Sequence, residues 1–197
     1  MLRRRTLFSD AKLLPDGGRL ISALISDGES WIITDFVPDA TTRFTFSGYE
    51  EQQASGFESY FCVVGSTTFR CRWGGWGKGP YVGPTFVEGA TVTYPTRLDF
   101  VIDIPAGIVM LNGVSCESLI TVNWKTCLTL FAVLQASGVP THASKDFKLY
   151  SSTVMKNGIL VHEYLPALDG NGTPCVFDTV DQKYWYNNGT GTFTYEE

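Results

Sequence analysis

The dipeptide Asn157-Gly158, set between two runs of alternating side chains, constrains this chain more than any other feature. Phe147, Leu149 and Ser151 alternate with Lys148, Tyr150 and Ser152 and lead into Val154 and Met155. That period of two marks a strand with one buried face. Asn-Gly then supplies the two φ > 0 residues of a tight hairpin turn, a conformation most side chains adopt only at a cost. Ile159 to Leu165 must therefore return antiparallel, and Pro166, which has no N–H, is expected to end the ladder. Asp169-Gly170-Asn171-Gly172 reads as the next turn, Cys175-Val176-Phe177 as a short apolar strand, and Asp178 to Asp181 as another turn. Tyr184-Trp185-Tyr186 is a last aromatic strand before Asn187-Asn188-Gly189.

The rest of the chain repeats the pattern. Arg19 to Ile25 and Trp31 to Thr34 read as short strands joined across Ser26-Asp27-Gly28-Glu29. Thr42 to Phe46 alternates, with Phe44 and Phe46 on one face. Phe57 to Val64 and Thr67 to Trp73 form a hairpin around Gly65-Ser66. Thr91 to Tyr94, Arg97 to Ile104 and Ile108 to Leu111 follow, with turns at Pro105-Ala106-Gly107 and Asn112-Gly113. Cys127 to Leu134 is one continuous apolar run, expected to be a strand buried on both faces. Ala136 to Ala143, which carries His142, is a loop. No helical stripe interrupts the series, so the expected architecture is an all-β sandwich or barrel. At 197 residues the chain is long enough for one sizeable core. The expected division is an arm over residues 1–12 and a single domain over 13–197. In the arm, Arg3, Arg4 and Arg5 stand beside Leu2, Leu7 and Phe8. This is either a frayed terminus or a segment for docking or homo-oligomerisation.

Composition narrows the functional classes. A net charge of −5 is not that of a nucleic-acid binder, which needs clustered Lys and Arg. No apolar run reaches the roughly 18 residues that span a bilayer, so no membrane insertion is expected. The five cysteines (62, 71, 116, 127, 175) are an odd set without a CxxC pair. They read as thiols rather than as a disulfide framework or a zinc site, although Cys62 and Cys71 lie where they could face one another across a hairpin. The N-terminus has basic residues but no apolar segment of the kind a secretory signal carries, so synthesis in the cytoplasm is expected.

Chemistry-bearing motifs are few. There is no HExxH, no GxSxG elbow and no phosphate-binding Gly loop. The His162-Glu163 pair falls within a strand, where neighbours point to opposite faces, and reads as structural. Asp99 and Asp103 share a strand face and read as solvated. The most unusual stretch is Trp73-Gly-Gly-Trp76-Gly-Lys-Gly-Pro-Tyr81-Val-Gly-Pro84, whose glycines predict a loop. Trp73, Trp76 and Tyr81 supply flat apolar faces with polar edges, suited to stacking on a sugar ring. The same aromatics could instead turn back and cover a sheet edge.

Two regions resemble a known family. One combines the Asn157-Gly158 hairpin, Pro166-Ala-Leu-Asp169, Gly172-Thr-Pro-Cys175 with Phe177-Asp178, and Tyr186-Asn-Asn-Gly189-Thr-Gly191-Thr-Phe193. The other is Leu14-Pro15-Asp16-Gly17, Trp31-Ile-Ile-Thr34 and Phe36-Val-Pro38 followed by Thr42-Arg43. Together they are similar to the laminin-G-like, concanavalin-A-like domains of gut bacteria and their phages. Ile33 stands where those domains carry an acidic residue and Asp35 where they carry a glycine, so any role of that acidic position is lost.

The resemblance implies a two-sheet antiparallel jelly-roll sandwich that binds rather than catalyses. It implies a lectin-like domain on a phage virion, contacting host-surface carbohydrate. The alternatives are a virion decoration protein docked to other virion proteins through its arm, and a bacterial surface adhesin. Glycosidases on related jelly rolls carry paired strand carboxylates, and no E-x-D-x-x-E run occurs here. Some members bind Ca2+ through loop oxygens, which makes Asp169 and Asn171 weak metal candidates, although turn chemistry explains the same residues.

Overall fold

The computed structural model describes residues 14–51, 59–64, 68–73, 80–82, 85–86, 93–117, 126–134, 140–141 and 143–197, and for residues 59–86, Cys116, Glu117 and Leu134 only the backbone. Among the described residues the regular secondary structure is almost wholly antiparallel β. The strands are β1 (Arg19–Leu20), β2 (Ala23–Asp27), β3 (Ile32–Ile33), β4 (Thr42–Glu50), β5 (Ser59–Val64), β6 (Thr68–Trp73), β7 (Pro80–Val82), β8 (Thr85–Phe86), β9 (Thr96–Asp103) and β10 (Ile108–Leu111). They continue with β11 (Val114–Glu117), β12 (Thr129–Leu130), β13 (Val133–Leu134), β14 (Pro140–Thr141), β15 (Lys145–Lys156), β16 (Ile159–Leu168), β17 (Pro174–Asp178), β18 (Lys183–Trp185) and β19 (Thr194–Glu196). One 3-10 turn, Pro15–Gly17, is the only helical element described. No described helix is long and apolar enough to cross a membrane.

The large sheet runs β11-β10-β9-β4-β15-β16-β17-β18, with β1, β2 and β19 attached beside this path. A second sheet runs β3-β12-β5-β6-β7-β8, and β13 pairs with β14 alone. The long strand β15 ties the large sheet together. Its one edge is taken by β4 from Lys148 to Lys156. Its other edge is shared, β2 pairing with the first half and β16 with the second. Asn157 (φ 51°) and Gly158 (φ 76°) turn β15 into β16, as the dipeptide predicts.

Alternation along these strands builds the core. Phe44, Phe46, Leu98, Phe100, Ile102, Phe147, Leu149, Val154 and Tyr164 leave the large sheet on one face and are buried, and Ile32 and Leu130 of the second sheet join them. The arrangement is sandwich-like. Burying each such side chain contributes about 1.5–3 kcal/mol. Gly48 marks the tightest point: a Cβ there would lie 2.0 Å from the Phe147 ring and 2.6 Å from the carbonyl oxygen of Lys148. Asp99 and Asp103 are on the outer face, as expected. Asp99 accepts from Ser47 at 2.6 Å and from Arg97 at 3.0 Å, and Asp103 pairs with Arg43 at 3.5 Å.

Several local expectations need correction. Pro166 does not end its ladder, since β16 continues to Leu168 and Pro166 pairs with Val176. Its carbonyl accepts from Ile21 N at 3.0 Å. In a strand the N and O of one residue face the same side, so the missing N–H faces the gap where the partner changes from β15 to β1 and no donor is needed. Leu128 to Val133 are buried, but the apolar run at 127–134 is not one strand. Phe131 (φ 69°) breaks it between β12 and β13, and its ring turns onto Phe193 and Phe147, at 5.0 and 6.2 Å between centroids. The Gly-rich stretch is not wholly loop, because β7 pairs with β6 and sets Trp73 opposite Pro80 and Tyr81 opposite Arg72. Cys71 lies opposite Phe61 and Cys62 opposite Arg70, so the two cysteines are not direct partners. Thr93 and Tyr94 carry no strand. His142 and the arm, including Arg3, Arg4 and Arg5, lie outside the described residues.

Candidate functional site

The segments carrying the two resemblances, one near each end of the chain, fold against each other. Asn187 Oδ1 accepts from Trp31 N at 3.2 Å, Asn188 Oδ1 from Ile33 N at 2.7 Å, and Asn188 N donates to Trp31 O at 2.8 Å. The glycines of Asn-Gly-Thr-Gly are required by contact. A Cβ at Gly189 would lie 2.1 Å from Glu29 O, and one at Gly191 2.3 Å from the Asp27 carboxylate.

The same two segments form a cleft on the opposite face of the large sheet. Leu14 is buried with Ala167, Cys175 and Phe177, and Tyr184 packs against them. Anchored there, residues 14–18 make a turn with Asp16 at φ 59° and Gly17 at φ 80°, closed by Leu14 N donating to Gly18 O at 2.9 Å. Opposite lies the β16–β17 turn. Asp169 Oδ1 accepts from the backbone N–H of Asn171 at 2.9 Å and of Thr173 at 2.8 Å. The two turns touch because Gly170 has no side chain: a Cβ there would sit 2.0 Å from Asp16 O.

Two tyrosines complete the wall. Tyr184 donates its hydroxyl to Pro15 O at 2.8 Å, and Tyr186 donates to Asp169 Oδ2 at 3.2 Å. Their rings are 6.2 Å apart and tilted by 35°. Tyr186 is 45% exposed, so it offers a ring to a ligand without unfolding anything. The cleft holds about 160 Å³ and is lined by Asp16, Asp169, Gly170, Asn171, Tyr184 and Tyr186. That is below the roughly 300–1,000 Å³ of pockets that enclose drug-sized ligands, and suits one ring-sized group.

The electrostatics are consistent with this bonding. The N–H of Thr173, then that of Asn171 and the Tyr186 hydroxyl, hold the Asp169 carboxyl below its ordinary range against a smaller opposing effect of burial. Burial, reinforced by the bond to Asp169, pushes the Tyr186 phenol up to about 12, so it stays a donor at neutral pH. A carboxyl with a depressed folded pKa stabilises above its unfolded value of about 3.9, and that contribution is lost as pH falls through the folded value. Asp169→Asn should therefore lose stability relative to the unchanged protein at pH 6, with the gap narrowing at pH 3. Urea melts at the two pH values measure this.

Trp73 and Tyr81 belong to the second sheet, and Trp76 lies outside the described residues. Asp169 and Asn171 are at the cleft, in the turn their sequence predicts. A cation there would compete with the three donors already on Asp169. Sequence reasoning missed Asp16, Tyr184 and Tyr186. The alternation Tyr184-Trp185-Tyr186 carried part of the signal, since it sets both tyrosines on one face.

No family model matches this chain, and no match to it was found among curated proteins or solved structures.

Proposed function

We propose that this chain is a non-enzymatic, lectin-like recognition domain that binds carbohydrate in the Asp16–Asp169–Tyr184–Tyr186 cleft. One observation carries the reading: two tyrosine rings flank a ring-sized cleft whose other walls are hydrogen-bonding carboxylates and an amide. Aromatic faces take the apolar face of a sugar, while Asp and Asn side chains take its hydroxyls. Among the described residues no Lys or Arg lines the cleft. With two carboxylates in the wall, neutral glycans are favoured over acidic ones, because like charge is penalised on binding. We further propose that the two sheets form a jelly-roll sandwich of the concanavalin-A-like kind, and that the domain is carried on a phage particle facing the host surface.

A glycan array run with and without calcium tests the reading. Neutral glycans should bind, and Tyr186→Ala should weaken binding about tenfold, equivalent to about 1.4 kcal/mol, while losing no more stability than Asp169→Asn. Loss on Trp76→Ala with Tyr186→Ala unaffected would move the site to the β6–β7 hairpin. Calcium-dependent binding would assign an ion to the Asp169–Asn171 turn. A blank array would overturn the lectin reading in favour of a virion structural protein docked through its arm.

A further inference from the structure

Away from the cleft, on the core side of the large sheet, three metal-ligating side chains converge. His162 in β16 and Asp178 at the end of β17 come together because the ladder sets Tyr164 opposite Asp178. Asp181 reaches the same point from the following turn. His162 Nδ1 lies 2.7 Å from Asp178 Oδ2 and 3.5 Å from Asp181 Oδ2, and the three donor atoms are all within 4.8 Å of one another.

The group is held in place before any ligand arrives. Asp178 is fully buried, and its Oδ1 accepts from Glu163 N at 3.2 Å and Val180 N at 3.0 Å, which leaves Oδ2 aimed at the imidazole. The imidazole ring lies parallel to Tyr164 at 5.5 Å and meets Phe36 edge-on at 5.1 Å. Such outer contacts orient ligands in metal sites. Charge points the same way. A structural His–Asp hydrogen bond needs one carboxylate, whereas here two face one imidazole nitrogen. The nearest lysine in the sequence, Lys183, is bonded to Asp35 at 3.2 Å and lies over the Trp185 ring at 3.6 Å.

We propose that His162, Asp178 and Asp181 bind a divalent transition-metal ion of the zinc type. One imidazole nitrogen with two carboxylate oxygens suits such an ion better than calcium or magnesium, which take mostly oxygen ligands in larger number. Tetrahedral bonds of about 2.0–2.2 Å set donors about 3.3–3.5 Å apart. The His162–Asp181 separation already has this value, and the His162–Asp178 pair must open by about 0.6–0.8 Å. A carboxylate only accepts, so Nδ1 carries the proton of the present bond. Metal binding uses the other tautomer: the Nδ1 proton leaves to solvent, Nε2 takes one up from solvent, and the freed Nδ1 lone pair goes to the ion. The side chain of Asp181 is 50% exposed, and through it the ion enters and keeps water in the fourth position.

The test uses the full chain after chelator treatment, with zinc, cobalt and calcium salts. Zinc should bind with one equivalent at this site and raise the melting midpoint by about 5–10 °C at a hundredfold excess over Kd. Bound cobalt should show the visible absorption of a tetrahedral site. Asp181→Asn, which removes an exposed ligand, should leave metal-free melting unchanged and weaken zinc binding at least tenfold. His162→Gln should abolish the cobalt spectrum. No zinc-dependent shift at millimolar metal would overturn the proposal. So would a shift of equal size in Asp181→Asn, which would place the ion elsewhere, or calcium acting as well as zinc.

Discussion

Replacing Phe147 with Ala should destabilise the fold by about 3–5 kcal/mol, the largest loss expected from a single truncation in this core. The ring is fully buried, stacked on Phe46 at 5.6 Å with an interplanar angle of 15°, and met edge-on by Phe131 at 6.2 Å. It also fills the space over Gly48, where a Cβ would collide with it at 2.0 Å. The glycine has no side chain to move into the void, so the cavity persists and its full cost is felt. Phe147→Leu, which keeps most of the volume, should cost about 1–1.5 kcal/mol. Urea denaturation with unchanged m-values measures both. A loss below about 1 kcal/mol for the Ala variant would mean that the ring does not pack as described.

The second large effect is expected at Asp178. Asp178→Ala removes the acceptor for Glu163 N and Val180 N and the partner of His162 at once. Each buried donor left alone costs about 1–3 kcal/mol, and the two amides and the imidazole lose their acceptor together, with overlap between the terms. A total near 3–5 kcal/mol follows. Asp178→Asn retains a carbonyl oxygen for the backbone donors and should fall well short of that. Melts in chelator keep any bound ion out of the comparison. Hydrogen exchange supplies a local check, because the amides of Glu163 and Val180 should lose protection in the Ala variant and keep it in the Asn variant. Equal stability of all three proteins would show that the carboxylate is dispensable.

Much of the fold was legible where backbone chemistry leaves little choice. Asn157-Gly158 and Asn112-Gly113 name their turns because few other pairs accept φ > 0 twice, and Phe44 and Phe46 show their face by spacing alone. The break at Phe131 was not legible, since an apolar run reads the same whether it is straight or bent, and what bends it is a pocket made by Phe147 and Phe193 far along the chain. Pro166 misled for a similar reason. A missing N–H ends pairing only when a partner stands opposite it, and the change of partner from β15 to β1 belongs to the topology. The cleft was half legible. Asp169-Gly170-Asn171-Gly172 reads as a turn, and Tyr184 and Tyr186 as one face, but that Asp16 would close the other wall depends on Gly170 admitting a distant carbonyl. The His162–Asp178–Asp181 group was hidden because its members become neighbours only through the register of β16 on β17.

The divided edge of β15 also sets an order on the birth of the molecule. As the chain leaves the ribosome, β2 emerges well before both its partners, β15 and β19. Until then its backbone donors and acceptors meet only water or other chains. Such distant pairing slows folding and leaves strand edges open to association. The cell that makes this protein must therefore shelter an unfinished sheet while the residues between Asp27 and Lys145 are made, and a chain cut short before Lys145 leaves β2 without either partner strand.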